Sequence, residues 1–170
     1  MAMLNSDNIR KVLSHTLEPV SIPSISYNSL YLQSSVLLSS SNGGVLSFAT
    51  LLDSTNGNGD PHALNNLKMM GLLIRDKWSE DETAPEEQNT NSCYIYTIPK
   101  ESDQDVDESQ STRIYTYEIE ELHACVAQIP KSDLLLLFIA DKQYPYGLLV
   151  MKMKNILLSL KSLYGYTLEK

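Results

Sequence analysis

The amino-acid sequence predicts an α+β domain in which one antiparallel β-sheet lies between helices. The predicted elements follow the order α-β-β-α-β-β-β-α, and strands that are joined by short links pair antiparallel. The predicted strand Leu134–Ala140 is apolar throughout and shows no alternation. Both of its faces should therefore be buried, which places it at the centre of the sheet with helices on each side. The 170 residues leave room for one domain, which we predict to span residues 1–170.

The first three elements are an amphipathic helix and a β-hairpin. Residues 6–17 carry apolar side chains on one helical face, with Ser6 as a helix N-cap, and residues 19–30 follow as a Ser- and Pro-rich loop. Two β-prone runs, Leu32–Ser40 and Val45–Leu52, then flank Asn42-Gly43-Gly44. An Asn-Gly pair between such runs predicts a hairpin with a type I′ turn, because that turn requires positive φ at both central residues.

The middle helix is apolar around much of its circumference. It begins at Asp60-Pro61, an N-cap followed by proline in the first turn, and is predicted to end near Trp78. One face carries Leu64, Leu67, Met70, Ile74 and Trp78, and the apolar surface is extended by Met69, Leu72 and Leu73. A helix of this kind must be covered on more than one side. We expect the sheet to cover one side and a partner the other.

An acidic insertion separates the middle helix from the third predicted strand. Residues 80–110 hold ten acidic residues and one basic residue, so this segment carries a charge of −9 in a chain of net charge −8. We predict that residues 80–111 are mostly disordered, because such a segment buries too little apolar surface to offset its ordering entropy. The run Cys93–Ile98 is the exception, since it can form a transient strand or dock on the domain.

Three strands and a helix complete the domain. The strands are predicted at Arg113–Ile119, Leu122–Ile129 and Leu134–Ala140, with a turn at Pro130–Asp133. Pro145 opens the last helix, whose apolar stripe is formed by Leu149, Met153, Ile156, Leu157, Leu160 and Leu163.

Several contiguous segments of the sequence resemble those of a known family. They are Asn65–Met70, Leu72–Asp81, Ile114–Glu118, Cys125–Pro130, Ser132–Ala140 and Pro145–Leu149. With the element order, they resemble the roadblock/LC7 superfamily, and within it the larger roadblock subunits of fungal EGO complexes, which are Ragulator-like. The likeness covers most of the chain and is weakest in residues 19–31, 53–60 and 83–111.

This resemblance implies a fold and a function. The implied fold is a five-stranded sheet of order 2-1-5-4-3, with the middle helix on one face and the terminal helices on the other. The implied function is a non-catalytic scaffold without a cofactor, which forms roadblock dimers and binds Rag-type small GTPases at the vacuolar membrane. There it would relay amino-acid sufficiency to TOR complex 1 and take part in microautophagy. A separate lipidated subunit would anchor the complex, so this chain would be peripheral on the cytoplasmic face and contact the membrane only indirectly.

The resemblance also points to an interface. In the implied order, Arg113–Ile119 lies at a sheet edge, and an exposed β-prone edge needs a cover. One cover is the same strand of a second roadblock chain, beside the middle helix; the alternative is Tyr94–Tyr96 folding back from the insertion. The candidate interface residues are Leu67, Met70, Leu73, Ile74, Ile114, Tyr115 and Tyr117. Whether the pair is a homodimer or a heterodimer stays open.

Other functional classes find little support in the sequence. His123 and Cys125 are the best nucleophile–base pair, yet Cys125 lies among apolar residues and no acid is placed to orient the imidazole. The three histidines, including His15 and His62, have no metal-ligand spacing, and the two cysteines are not a disulfide framework. The acidic balance disfavours nucleic-acid binding, and no apolar run is long enough to span a membrane. Two rivals remain: a GTPase-regulating roadblock module and a longin-type trafficking adaptor.

Overall fold

The computed structural model describes residues 6–18, 32–51, 61–84, 93–98 and 111–168. The predicted loop at residues 19–30 lies outside these ranges. The elements are α1 (Ser6–Thr16), β1 (Ser34–Ser39), β2 (Val45–Thr50), α2 (Pro61–Thr83), β3 (Cys93–Thr97), β4 (Ser111–Ile119), β5 (Leu122–Gln128), β6 (Leu134–Asp141), α3 (Tyr146–Ser159) and a 3₁₀ turn (Lys161–Leu163).

Within the described residues, the sheet contains six antiparallel strands in the order β2-β1-β6-β5-β4-β3. The first five positions of this order match the predicted 2-1-5-4-3 arrangement, and that prediction is confirmed. The predicted count of five strands is wrong, because β3 adds a sixth strand beside β4. Cys93–Ile98 is the run that the sequence singled out, within the otherwise disorder-prone insertion, as able to form a strand or dock on the domain, and its residues Cys93–Thr97 form this strand.

The central position of β6 explains its unbroken apolar sequence. It pairs with β1 on one side and β5 on the other. Leu134, Leu136, Phe138 and Ala140 enter one core, together with α1 and α3. Leu135, Leu137 and Ile139 enter the other core, against α2. Each face is thus covered by helices, as the absence of alternation predicted.

A lysine ties the two helices on the first face together. Lys152 of α3 donates from Nζ to the carbonyl oxygens of Thr16 and Glu18, at the C-terminal end of α1. Carbonyl groups at a helix C-terminus have no partner within the helix and attract a cation. Burial lowers the pKa of Lys152, and the nearby Glu18 carboxylate works in the opposite direction.

The β1–β2 hairpin forms, but the predicted type I′ turn is wrong. Gly43 has φ of 73°, whereas Asn42 is not among the described residues with positive φ. The connection is longer than two residues: the Gly43 amide donates to the Ser39 carbonyl, and the Ser39 amide donates to the Gly44 carbonyl. The Asn42 side chain accepts from the Gly44 amide at 2.8 Å, which stabilises this wider turn.

The middle helix is longer than the sequence predicts. It continues through residues 79–83, so its end near Trp78 is a wrong prediction and the first residues assigned to the insertion are helical. Contacts from the sheet hold this last turn, as described below. The other part of the predicted disordered segment, residues 85–92 and 99–110, lies outside the described ranges, and its disorder stays a prediction.

Candidate partner-binding surface

Helix α2 has one apolar face on the sheet and a second apolar face outside it. Leu67, Ile74 and Trp78 are buried against the sheet. On the opposite side, Met69, Leu72 and Leu73 are 68%, 48% and 50% exposed. We call these three residues the outer ridge. A contiguous exposed apolar patch of this kind is typical of a surface that binds another protein.

The predicted α2 interface residues divide between these two faces. Leu67 and Ile74 are core residues, Met70 is half-buried against the α2-side core, and Leu73 belongs to the outer ridge. Met69 and Leu72 are not among the seven candidate interface residues, although the sequence places both on the additional apolar surface of this helix that we expect a partner to cover. Their helical spacing is the signal for including them, because both share a face with Leu73 and lie opposite the buried stripe.

The predicted edge strand is not at the edge of the sheet. Residues Ser111–Tyr115 of β4 pair with β3, so the prediction that Arg113–Ile119 lies at the edge is wrong. Ile114 enters the core beneath α1 and α3, whereas Tyr115 and Tyr117 enter the core beneath α2. All three side chains are buried within this chain. Their role in a partner interface stays a prediction.

Two tyrosines fasten the C-terminal end of α2 to the sheet. The Tyr117 hydroxyl donates to Asp81 Oδ2 at 2.6 Å, and the Tyr115 hydroxyl donates to Glu82 Oε1 at 3.1 Å. Burial raises the pKa of both phenols, and the Asp81 carboxylate raises that of Tyr117 further, so both remain donors. The Lys77 ammonium lies 5.3 Å from the Tyr117 ring centroid. These contacts explain why the helix continues past the predicted end.

The β1–β2 turn fastens the middle of α2. Arg75 donates from Nε to the Ser40 carbonyl at 2.9 Å and from Nη2 to the Ser41 carbonyl at 2.8 Å. Gly71 permits close approach, because a Cβ at that position would lie 2.9 Å from Leu38 Cδ2. The helix is therefore anchored at two separate points, and the outer ridge is presented on a rigid element.

His123 and Cys125, the best candidates in the sequence for a nucleophile–base pair, both make structural contacts. The Cys125 side chain is 0% exposed, and burial raises the pKa of its thiol, which disfavours the nucleophilic thiolate. His123 Nδ1 lies 2.8 Å from the Tyr144 carbonyl oxygen, and the imidazole stacks on the Tyr146 ring with 3.9 Å between centroids. His123 thereby holds the turn that precedes α3.

Neither a metal centre nor a membrane span is found in the part of the chain that the structure describes. Within those ranges, no three His, Cys, Asp or Glu side chains are grouped so that they could hold a metal ion. Of the helices described, none combines the length and the apolar character needed to cross a bilayer.

Known proteins share both the sequence and the fold of this chain. The family model described as Protein SLM4 matches residues 3–168. Protein SLM4 of Saccharomyces cerevisiae (strain ATCC 204508 / S288c) is 50% identical over 170 residues, covering 99% of each chain.

Two solved structures share the fold. The roadblock/LC7 domain from Streptomyces avermitilis has a TM-score of 0.55 and 16% identity, over 90% of this chain and 94% of that one. The gliding protein MglB from Thermus thermophilus has a TM-score of 0.56 and 14% identity, over 95% of this chain and 92% of that one. The predicted roadblock fold is confirmed.

Proposed function

The chain belongs to the SLM4 family and has a roadblock fold, and on that premise we propose that it is a non-catalytic scaffold subunit. It assembles with a roadblock partner, either a second copy or a different subunit, in an EGO/Ragulator-like complex. That complex holds Rag-type GTPases at the cytoplasmic face of the vacuolar membrane. Its output is amino-acid signalling to TOR complex 1 and microautophagy, and a lipidated subunit supplies the membrane anchor.

The outer ridge is the observation that carries the scaffold role. A monomeric domain gains nothing from three large apolar side chains grouped on the solvent side of a helix, because their exposure to water is unfavourable. The ridge lies on a helix that is anchored by Arg75 and by the two tyrosine–carboxylate bonds. A preformed apolar surface loses little conformational entropy on binding, which favours stable assembly.

The location of the reactive groups supports a non-catalytic role. Cys125 is fully buried in the core. The His123 imidazole contacts the Tyr144 carbonyl oxygen and stacks on the Tyr146 ring. This arrangement therefore supports a protein that acts by binding partners through its surface and not through a reactive side chain. The identity of the GTPases and the vacuolar location rest on the resemblance to EGO-type roadblock subunits set out above.

Affinity purification of the full chain tests this proposal. A tagged copy is expressed in place of the untagged protein in fungal cells, and co-purifying proteins are identified by mass spectrometry. We expect a roadblock subunit, a lipidated subunit and Rag-type GTPases, and we expect the tagged protein on the vacuolar surface. Recovery of coat or SNARE proteins in their place would favour the longin-type adaptor. A GTP-hydrolysis assay on the recovered GTPases, with and without this chain, separates the regulatory module, which would change the turnover rate.

A further inference from the structure

The last turn of α2 ends in an exposed threonine. Thr83 is the final residue of the helix, and its side chain is exposed to solvent. Its hydroxyl donates to the carbonyl oxygens of Ser79 and Glu80, both at 3.0 Å. Pro85 follows in the sequence, and a proline disfavours the helical conformation of the residue before it. The helix therefore ends at a hydroxyl that a second protein can reach, because helix ends fray.

The sequence around Thr83 is acidic on both sides. Glu80–Glu82 precede it, Glu86–Glu87 follow it, and residues 78–99 contain no lysine or arginine. Protein kinases distinguish their substrates partly by the charges around the acceptor hydroxyl. A kinase with a basic substrate groove is complementary to a hydroxyl that has acidic flanks. The surroundings of Thr83 are therefore those of a substrate for an acidophilic protein kinase.

Ser79 is the rival acceptor, because three acidic residues follow it directly. It is half-buried within α2, and its carbonyl oxygen accepts the Thr83 hydroxyl. Two of the acids that follow it, Asp81 and Glu82, accept hydrogen bonds from tyrosines of β4. Access to Ser79 would require the last turn and both of these bonds to open, whereas access to Thr83 requires only fraying of the helix end. The sequence favours Ser79, and the structure favours Thr83.

We propose that Thr83 is a phosphorylation site for an acidophilic protein kinase, and that the phosphate releases the last turn of α2 from the sheet. In the reaction, Thr83 Oγ1 attacks the γ-phosphorus of ATP. The new P–O bond to Thr83 forms as the bond to ADP breaks, and the hydroxyl proton passes to a carboxylate of the kinase. This modification goes beyond the scaffold role and does not depend on it.

A phosphate on Thr83 opposes the last turn in three ways. The esterified oxygen has no proton left to donate to the carbonyl oxygens of Ser79 and Glu80. The phosphate group carries a charge of about −1.5 to −2 at pH 7, and it lies at the negative end of the helix dipole. It also lies three positions beyond the Glu80 carboxylate, a spacing at which like charges on a helix repel each other.

Opening of the last turn would remove one of the two anchors of α2. The turn carries Asp81 and Glu82, which accept from the Tyr117 hydroxyl at 2.6 Å and from the Tyr115 hydroxyl at 3.1 Å. The other anchor, at Arg75, lies eight positions earlier, which is about 12 Å along a helix. Phosphorylation should therefore loosen the C-terminal end of the helix and leave its middle in place.

Phosphorylation of the purified full chain tests the site. Casein kinase 2, which is acidophilic, is incubated with the protein and ATP, and the modified residue is identified by mass spectrometry. The matched variants are Thr83→Ala and Ser79→Ala. We expect wild type and Ser79→Ala to be modified at Thr83, and Thr83→Ala to lose most of the incorporated phosphate. Modification of Ser79 with Thr83 unmodified, or no incorporation into folded protein, would overturn the site.

Hydrogen exchange tests the release of the last turn. The amides of residues 79–84 should exchange about 2-fold to 10-fold faster in the phosphorylated protein, from the dipole and like-charge terms. A variant with Tyr115→Phe and Tyr117→Phe lacks both anchoring hydroxyls, so these amides should already exchange faster and the phosphate should add little. Circular dichroism melting verifies that this variant is folded. Unchanged exchange on phosphorylation, or the same fold increase with and without the two hydroxyls, would refute the release.

Discussion

A negative charge on the outer ridge should weaken assembly strongly without unfolding the domain. Complete burial of a Leu or Met side chain stabilises by about 1.5–3 kcal/mol, so a partner that covers the three partly exposed ridge residues gains about 2.5–5 kcal/mol. Leu73→Asp loses its share, about 0.8–1.5 kcal/mol, and adds the desolvation cost of a carboxylate, at least about 1–3 kcal/mol. The sum, about 1.8–4.5 kcal/mol, corresponds to a loss of affinity of roughly 20-fold to 1,600-fold.

Leu158→Asp is the matched control for Leu73→Asp. Leu158 is also an exposed leucine on a helix, but it lies on α3, across the sheet from the ridge. Both variants should fold, with a cost of about 0.5 kcal/mol from the lower helix propensity of aspartate. Co-purification of the roadblock partner, with melting curves of the purified variants, gives the comparison. If Leu73→Asp retains its partner as well as Leu158→Asp does, the outer ridge is not the interface and the scaffold argument loses its main support.

Three further predictions test the core, the thiols and the α2 anchor. Leu136→Ala in β6 should lower the free energy of unfolding by about 2–5 kcal/mol, measured as a shift of the urea midpoint; an unchanged midpoint would contradict the central position of β6. A thiol reagent should modify the half-buried Cys93 in the native protein and spare Cys125 until unfolding, and Cys125→Ala should leave partner binding intact; early labelling of both would show that the core is open. Burial and Asp81 raise the pKa of Tyr117 above its ordinary value of 10.0. The neutral phenol therefore stabilises the folded state fully below about pH 10, and this contribution is lost as the pH rises further. Tyr117→Phe should therefore reduce the loss of stability above about pH 10, and an identical loss in both proteins would argue against the buried phenol.

The parts of the fold that the sequence predicts correctly are those determined by strong local patterns. The unbroken apolar run Leu134–Ala140 places β6 at the centre, because no other position buries both faces of a strand. The excess of apolar residues on α2 predicts a second covered side, and Met69, Leu72 and Leu73 form that exposed surface. The sequence-based predictions are wrong where residues far along the chain determine the local structure. The end of α2 depends on Tyr115 and Tyr117, more than 30 positions further along the chain.

The edge of β4 shows why an interface is harder to predict than a fold. A β-prone, aromatic strand indicates that its edge must be covered, but a strand from the same chain and a strand from a partner satisfy the same hydrogen-bonding groups. The sequence therefore predicts a cover and offers two candidates, Tyr94–Tyr96 of the insertion and a second roadblock chain, without deciding between them. Cys93–Thr97 supplies the cover in this chain, although its flanking residues are polar and acidic. The choice between the two covers depends on the free energies of the closed and assembled states. In the structure, β3 covers the edge along Ser111–Tyr115 and leaves Ile95 exposed.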